Sequence, residues 1–113
     1  MKICIQISDP WDLGEFIGWK PIIGEIISFS QNEEKVLVKL INPIKIIDKT
    51  FNYVVYSVKF QSDKIRDLLN GNTLCGSGVG ISDSQYYSTN PFANTWRGGG
   101  LAFIGSLNLI DEK

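Results

Sequence analysis

Histidine is absent from the 113 residues of this chain, and cysteine (2), methionine (1) and proline (4) are scarce. The first absence excludes histidine-dependent acid–base chemistry and triads of the Ser-His-Asp kind. It also strips any zinc site of most of its ligands, since no Cys-x-x-Cys pair is present either. No cofactor or metal site is therefore expected. Cys4 and Cys75 read as buried free thiols, with a disulfide between them as the alternative, disfavoured in a reducing compartment. Long apolar runs are missing as well. The opening Ile3, Ile5 and Ile7 alternate with Cys4, Gln6 and Ser8 and are cut short by Asp9-Pro10, so neither a secretory leader nor a membrane span is expected, and the expected location is cytoplasmic. No internal repeat of usable period occurs.

Excess charge is lacking too: the net value is −1, which gives no global signature of nucleic-acid binding. Its distribution is less even. Residues 1–34 hold six acids and two bases, residues 35–66 two acids and seven bases, and residues 67–113 four acids and two bases. The lysines Lys39, Lys45, Lys49 and Lys59 are read as solvating strand faces and discouraging edge-to-edge pairing. Hydrophobic content of 43% with 20% charged residues is that of a globular chain, and the length suits a single domain over 1–113 with its own core.

What is present is a β-pattern. Val36, Val38 and Leu40 alternate with Leu37, Lys39 and Ile41, and Val54, Tyr56, Val58 and Phe60 alternate with Tyr53, Val55, Ser57 and Lys59. Period-two spacing of β-branched and aromatic residues predicts strands with one core face and one partly wet face. Asn42-Pro43 interrupts the run and marks a bend, bulge or sheet edge, because proline cannot donate to a ladder. Three strands are predicted there, over 35–41, 44–47 and 52–61, with Asp48-Lys49-Thr50 as a turn. Further strands are predicted over 2–8, 22–30, 74–82 and 101–110, with a polar hairpin turn at Gln31-Asn32-Glu33-Glu34. One helix is predicted near residues 63–70: Ser62 suits an N-cap, Ile65, Leu68 and Leu69 fall at helical spacing, and Asn70-Gly71 is a stop signal. It is expected to plug one end of the sheet. The predicted class is mainly β: a small curled antiparallel sheet of six to seven strands, either a partly open barrel or a two-layer sandwich.

Gly76, Gly78 and Gly80 alternate, so all three fall on one strand face. The spacing is neither the dinucleotide fingerprint nor a Walker loop, and no helix follows. A strip without side chains has room for a ring, and Trp11 or Trp19 is the expected occupant. The longest segment without an apolar period is 83–100, which contains Tyr86, Tyr87, Phe92, Trp96 and Arg97 among serine, asparagine and glycine. Such a loop is uncommon in a compact domain, and this mixture is that of binding hot spots. Two readings stand side by side: a binding loop, or aromatics packed down onto the sheet as an Ω-loop. Asp9, Asp12 and Glu15 crowd around Trp11; they read first as turn caps, then as an acidic patch facing a partner, and last as an acid–base pair.

The opening strand, Asp9-Pro10-Trp11-Asp12-Leu13-Gly14-Glu15, Gly18-Trp19-Lys20-Pro21 and the short β-meander resemble small bacterial immunity proteins encoded beside polymorphic or contact-dependent toxins. The resemblance implies stoichiometric occlusion of a toxin domain, a protein partner and no catalytic residues. On it, the partner-binding residues would be Tyr86, Tyr87, Phe92, Trp96 and Arg97, with Asp9, Asp12 and Glu15 from the acidic turn. The alternative function is a barrel that binds a small ligand or single-stranded nucleic acid, the aromatics stacking on it and Lys39, Lys45 and Lys59 tracking phosphates.

Overall fold

The computed structural model describes residues 2–9, 20–30, 34–46, 49–58, 68, 70–82, 92 and 101–110. They form six strands: β1 (Lys2–Asp9), β2 (Ile22–Phe29), β3 (Lys35–Ile46), β4 (Lys49–Val58), β5 (Leu74–Ile81) and β6 (Leu101–Leu109). Each pairs antiparallel with the next, and β6 pairs back onto β1, so the sheet closes into a barrel rather than staying open. Closure leaves neither the first nor the last strand with a bare edge, which removes the usual liability of a small antiparallel sheet.

The local pattern sets which side chains point inward. Ile3, Ile5 and Ile7 of β1, Val36, Val38 and Leu40 of β3, Val54 and Tyr56 of β4, and Leu107 of β6 all lie in one buried cluster. These are the alternating positions, as the two-residue period of a strand requires. Leu68 is helical and joins the same cluster with no exposed surface, in keeping with a plug; residues 63–67 and 69 of the predicted helix lie outside the described residues. Gly71 follows in the left-handed region (φ 88°) and donates its N–H to Leu68 O at 3.1 Å, which ends that turn.

Asn42-Pro43 does not divide two strands. β3 runs through it as one twelve-residue strand, so the predicted 35–41 and 44–47 segments are a single bent element. β4 starts at Lys49, inside the predicted turn. Between the pairs Lys39/Tyr53 and Ile44/Phe51, β3 uses four residues where β4 uses one. Asn42 and Pro43 are two of the four, so the proline sits in a bulge, where its missing N–H breaks no ladder bond. The β2–β3 hairpin closes where Ser30 N donates to Lys35 O at 2.9 Å and Lys35 N donates to Ser30 Oγ at 3.0 Å.

The glycine strip faces inward, and phenylalanines occupy it. Gly78 pairs with Phe103, and a Cβ on Gly78 would overlap the Phe103 ring; at Gly80 a Cβ would rest at 3.5 Å from Phe51. The expected occupants, Trp11 and Trp19, lie outside the described residues. Tyr56 fills the space beside the facing Gly76 and Gly105, its hydroxyl donating to Gly105 O at 2.7 Å with Leu74 O at 3.2 Å. Tyr56 and Phe103 are fully buried and Phe51 is 2% exposed, so the interior is a packed core.

A second buried cluster lies on the outside of the wall. Leu37, Tyr53, Val55 and Ile81 are 2%, 7%, 2% and 0% exposed, with Val79 and Phe92 packed against them. The predicted wet face of β3 and β4 is therefore dry at these positions. Its cover includes Phe92, whose carbonyl accepts a hydrogen bond from Lys35 Nζ at 3.0 Å. Burial on both faces replaces the alternating pattern with a near-continuous apolar run, which is how Tyr53-Val54-Val55-Tyr56 reads.

Candidate functional site

A cleft opens in the barrel wall between residues 20–23, at the start of β2, and residues 42–45 of β3. Its volume is about 330 Å³, at the small end of the range for ligand sites. The cleft follows from where the β2–β3 ladder stops. Pairing runs from Phe29/Val36 down to Gly24/Leu40 and goes no further, although β2 begins two residues earlier and β3 continues for six more. Carried onward, the same register would set Ile23 opposite Ile41, Ile22 opposite Asn42 and Pro21 opposite Pro43. Two facing prolines offer no N–H to either strand, so the ladder cannot zip through that point. The β3 bulge at the same residues then carries this strand away from β2.

The lining has two characters. Ile22 and Ile44 are 6% and 8% exposed and belong to the interior cluster. Ile23, Pro21, Asn42, Pro43, Lys20 and Lys45 are exposed at its mouth. Among the described residues two lysines and no carboxylate line the cleft, so the charge these residues bring to it is positive. Among the described residues the large exposed hydrophobics are Ile23, Ile27 and Phe29 on β2, Ile41 on β3 and Ile104 on β6; Ile23 and Ile41 stand at the cleft, and Ile27 and Phe29 run from it toward the far end of β2.

Polar groups occupy other outward positions. Lys2 of β1 pairs with Glu25 of β2, which pairs with Lys39 of β3, giving a cross-strand row of alternating charge. Across β6, Thr73 donates to Asn108 Oδ1 and Cys75 Sγ lies 4.0 Å from Ser106 Oγ. Cys4 pairs with Asn108 and Cys75 with Ser106, so the cysteines flank β6 from either side, two strands apart. At about 4.8 Å per strand their Cα atoms stand roughly 10 Å apart, beyond the ~7 Å a disulfide spans. Both are free; Cys75 is exposed rather than buried, and partial burial pushes the Cys4 thiol above its ordinary value. Tyr56 is also held well above the usual tyrosine range, first by burial and second by the negative charge of a Cys75 thiolate.

Of the residues singled out from sequence, Asp9 is exposed at the end of β1, opposite Ile104. Phe92 is half-buried on the outer cluster, the packed-down reading for that residue. Tyr86, Tyr87, Trp96, Arg97, Asp12 and Glu15 lie outside the described residues, as do Lys59 and the segment 83–91. Lys39 is exposed on its strand face, as read, whereas Lys45 lines the cleft. The cleft itself was not anticipated, though its signal is present: a proline on each strand beyond the same end of the ladder with a lysine close by, Lys20-Pro21 and Pro43-Ile44-Lys45. No group of three or more potential metal ligands occurs among the described residues, and no helix among them is long and apolar enough to cross a membrane. Comparison of the chain with family models, with curated proteins and with solved structures finds no match.

Proposed function

We propose that the chain is a non-enzymatic protein-binding module of the inhibitor or immunity kind, acting by stoichiometric occlusion of a partner such as a toxin domain. The observation that carries this reading is where the apolar surface lies. The barrel interior is taken up by the protein's own Phe51, Tyr56 and Phe103, while four of the five large exposed hydrophobics among the described residues lie on the outer side of β2 and β3, with Ile23 and Ile41 at the cleft end. Apolar side chains gathered outside a filled core favour recognition by surface contact over enclosure of a small molecule. The resemblance of the acidic turn and meander to toxin-immunity proteins points the same way. Affinity in such a mechanism comes from buried apolar anchors, and specificity and association rate from charges at the rim.

Retrieval of partners by the tagged full-length chain from a lysate of the source organism tests the reading. One stoichiometric protein, held at moderate salt, is the expected result. Recovery of nucleic acid alone, released as salt is raised, would overturn it in favour of a strand-binding barrel.

A further inference from the structure

We infer that the cleft between β2 and β3 is a docking slot for an extended acidic segment of a partner protein, whose side chains alternate between apolar and carboxylate. This rests on the protein-binding reading and says where the partner enters and with what chemistry.

Three features of the slot argue for it. Its first feature is backbone edge. Ile44–Ile46 of β3 pair with β4 on one side only, and Ile22 and Ile23 pair with β1 on one side only, so among the described residues the edges that face each other across the cleft lack a strand partner. Unpaired edges are templates for strand addition. The second is two-sidedness. Ile22 and Ile44 turn toward the apolar interior, whereas Ile23 and Lys45 are exposed on the outer face. A chain lying in the gap alternates its side chains in the same way, one set against Ile22 and Ile44, the other beside Lys45 and Lys20. The third is charge: both ionisable groups in the lining are cationic, so the outward set is complementary when it carries carboxylates.

A nucleic acid suits the slot less well. Among the described residues no aromatic side chain lines it for base stacking, two lysines make no phosphate track, and half of its wall is aliphatic.

The test pans the full-length chain against a display library of short random peptides, with an oligothymidylate as counter-probe. Lys20→Glu/Lys45→Glu alters two exposed side chains and keeps the fold; Lys2→Glu makes one such charge reversal outside the cleft. Expected are enriched peptides that alternate apolar with acidic residues, amide shifts concentrated at Ile22, Ile23, Ile44 and Lys45, and binding weakened about tenfold or more in the double variant but not in Lys2→Glu. No enrichment, enriched peptides without acidic residues, shifts centred elsewhere, equal binding to the double variant, or displacement by the oligonucleotide would each overturn the inference. Its failure is separable from that of the module: a stoichiometric protein partner that binds the double variant as well as the native chain moves the site elsewhere and leaves the module standing. A lysate that yields no protein partner removes the module itself.

Discussion

Leu107 and Leu37 are the same side chain, almost equally buried, on opposite sides of the barrel wall. Leu107 is fully buried in the interior, walled by strands on every side; Leu37 is 2% exposed on the outer face, under a cover that includes Phe92. The interior is enclosed by hydrogen-bonded backbone and cannot collapse onto a void. Among the described residues the outer cluster is covered by Phe92, a side chain outside the sheet, and not by a second hydrogen-bonded wall. The difference teaches that burial alone does not set the cost of a missing methyl group; the freedom of the surroundings to close does.

Truncation is the sharpest way to break that comparison. Leu107→Ala is expected to cost about 3–5 kcal/mol and Leu37→Ala about 2–3 kcal/mol in urea unfolding. Equal losses would mean that the outer roof is as rigid as the barrel. The next effect lies within the interior and separates two glycines on one strand. Gly78→Ala drives a Cβ into the Phe103 ring and is expected to cost about 2–3 kcal/mol, whereas Gly80→Ala makes ordinary contact with Phe51 and should fall within about 0.5 kcal/mol of the native chain. If both are tolerated alike, the Phe103 ring is not seated over the strip.

The smallest effect reads the interior through pH. Tyr56→Phe removes a buried hydrogen bond and should cost about 1–2 kcal/mol near neutrality. Because the folded-state pKa of Tyr56 is raised, the folded chain holds its proton where the unfolded chain has lost it. The contribution is intact below the ordinary tyrosine value of about 10 and is lost as pH rises above it toward the folded value. Stability measured through that alkaline window should fall more steeply for the native chain than for Tyr56→Phe. Parallel slopes would place the hydroxyl in water.

Much of the fold was legible because side-chain direction along a strand is local. Ile3-Ile5-Ile7, Val36-Val38-Leu40 and Val54-Tyr56 were read as core positions from spacing alone, and they line the interior. Leu37, Tyr53 and Val55 lie on the face read as partly wet, where Lys39 and Ile41 are exposed; these three are dry, and nothing in their own stretch announces that Phe92, far along the chain, packs on that side. The site was less legible. Asn42-Pro43 was read as a bend, bulge or edge, but its consequence depends on Pro21 arriving opposite it, a matter of register between two strands.

The sequence by itself therefore determined the strands, their inward residues and the expectation that three glycines share one strand face, because a two-residue period and the stereochemistry of glycine and proline act over a few bonds. Tertiary structure decided that β6 closes onto β1, that Phe103 and Phe51 fill the space opposite Gly78 and Gly80, that three strands are buried on both faces, and that the wall parts beside Lys20 and Lys45. Each of those is set by pairing or packing between residues distant in the chain, where register, and not local preference, chooses the neighbours.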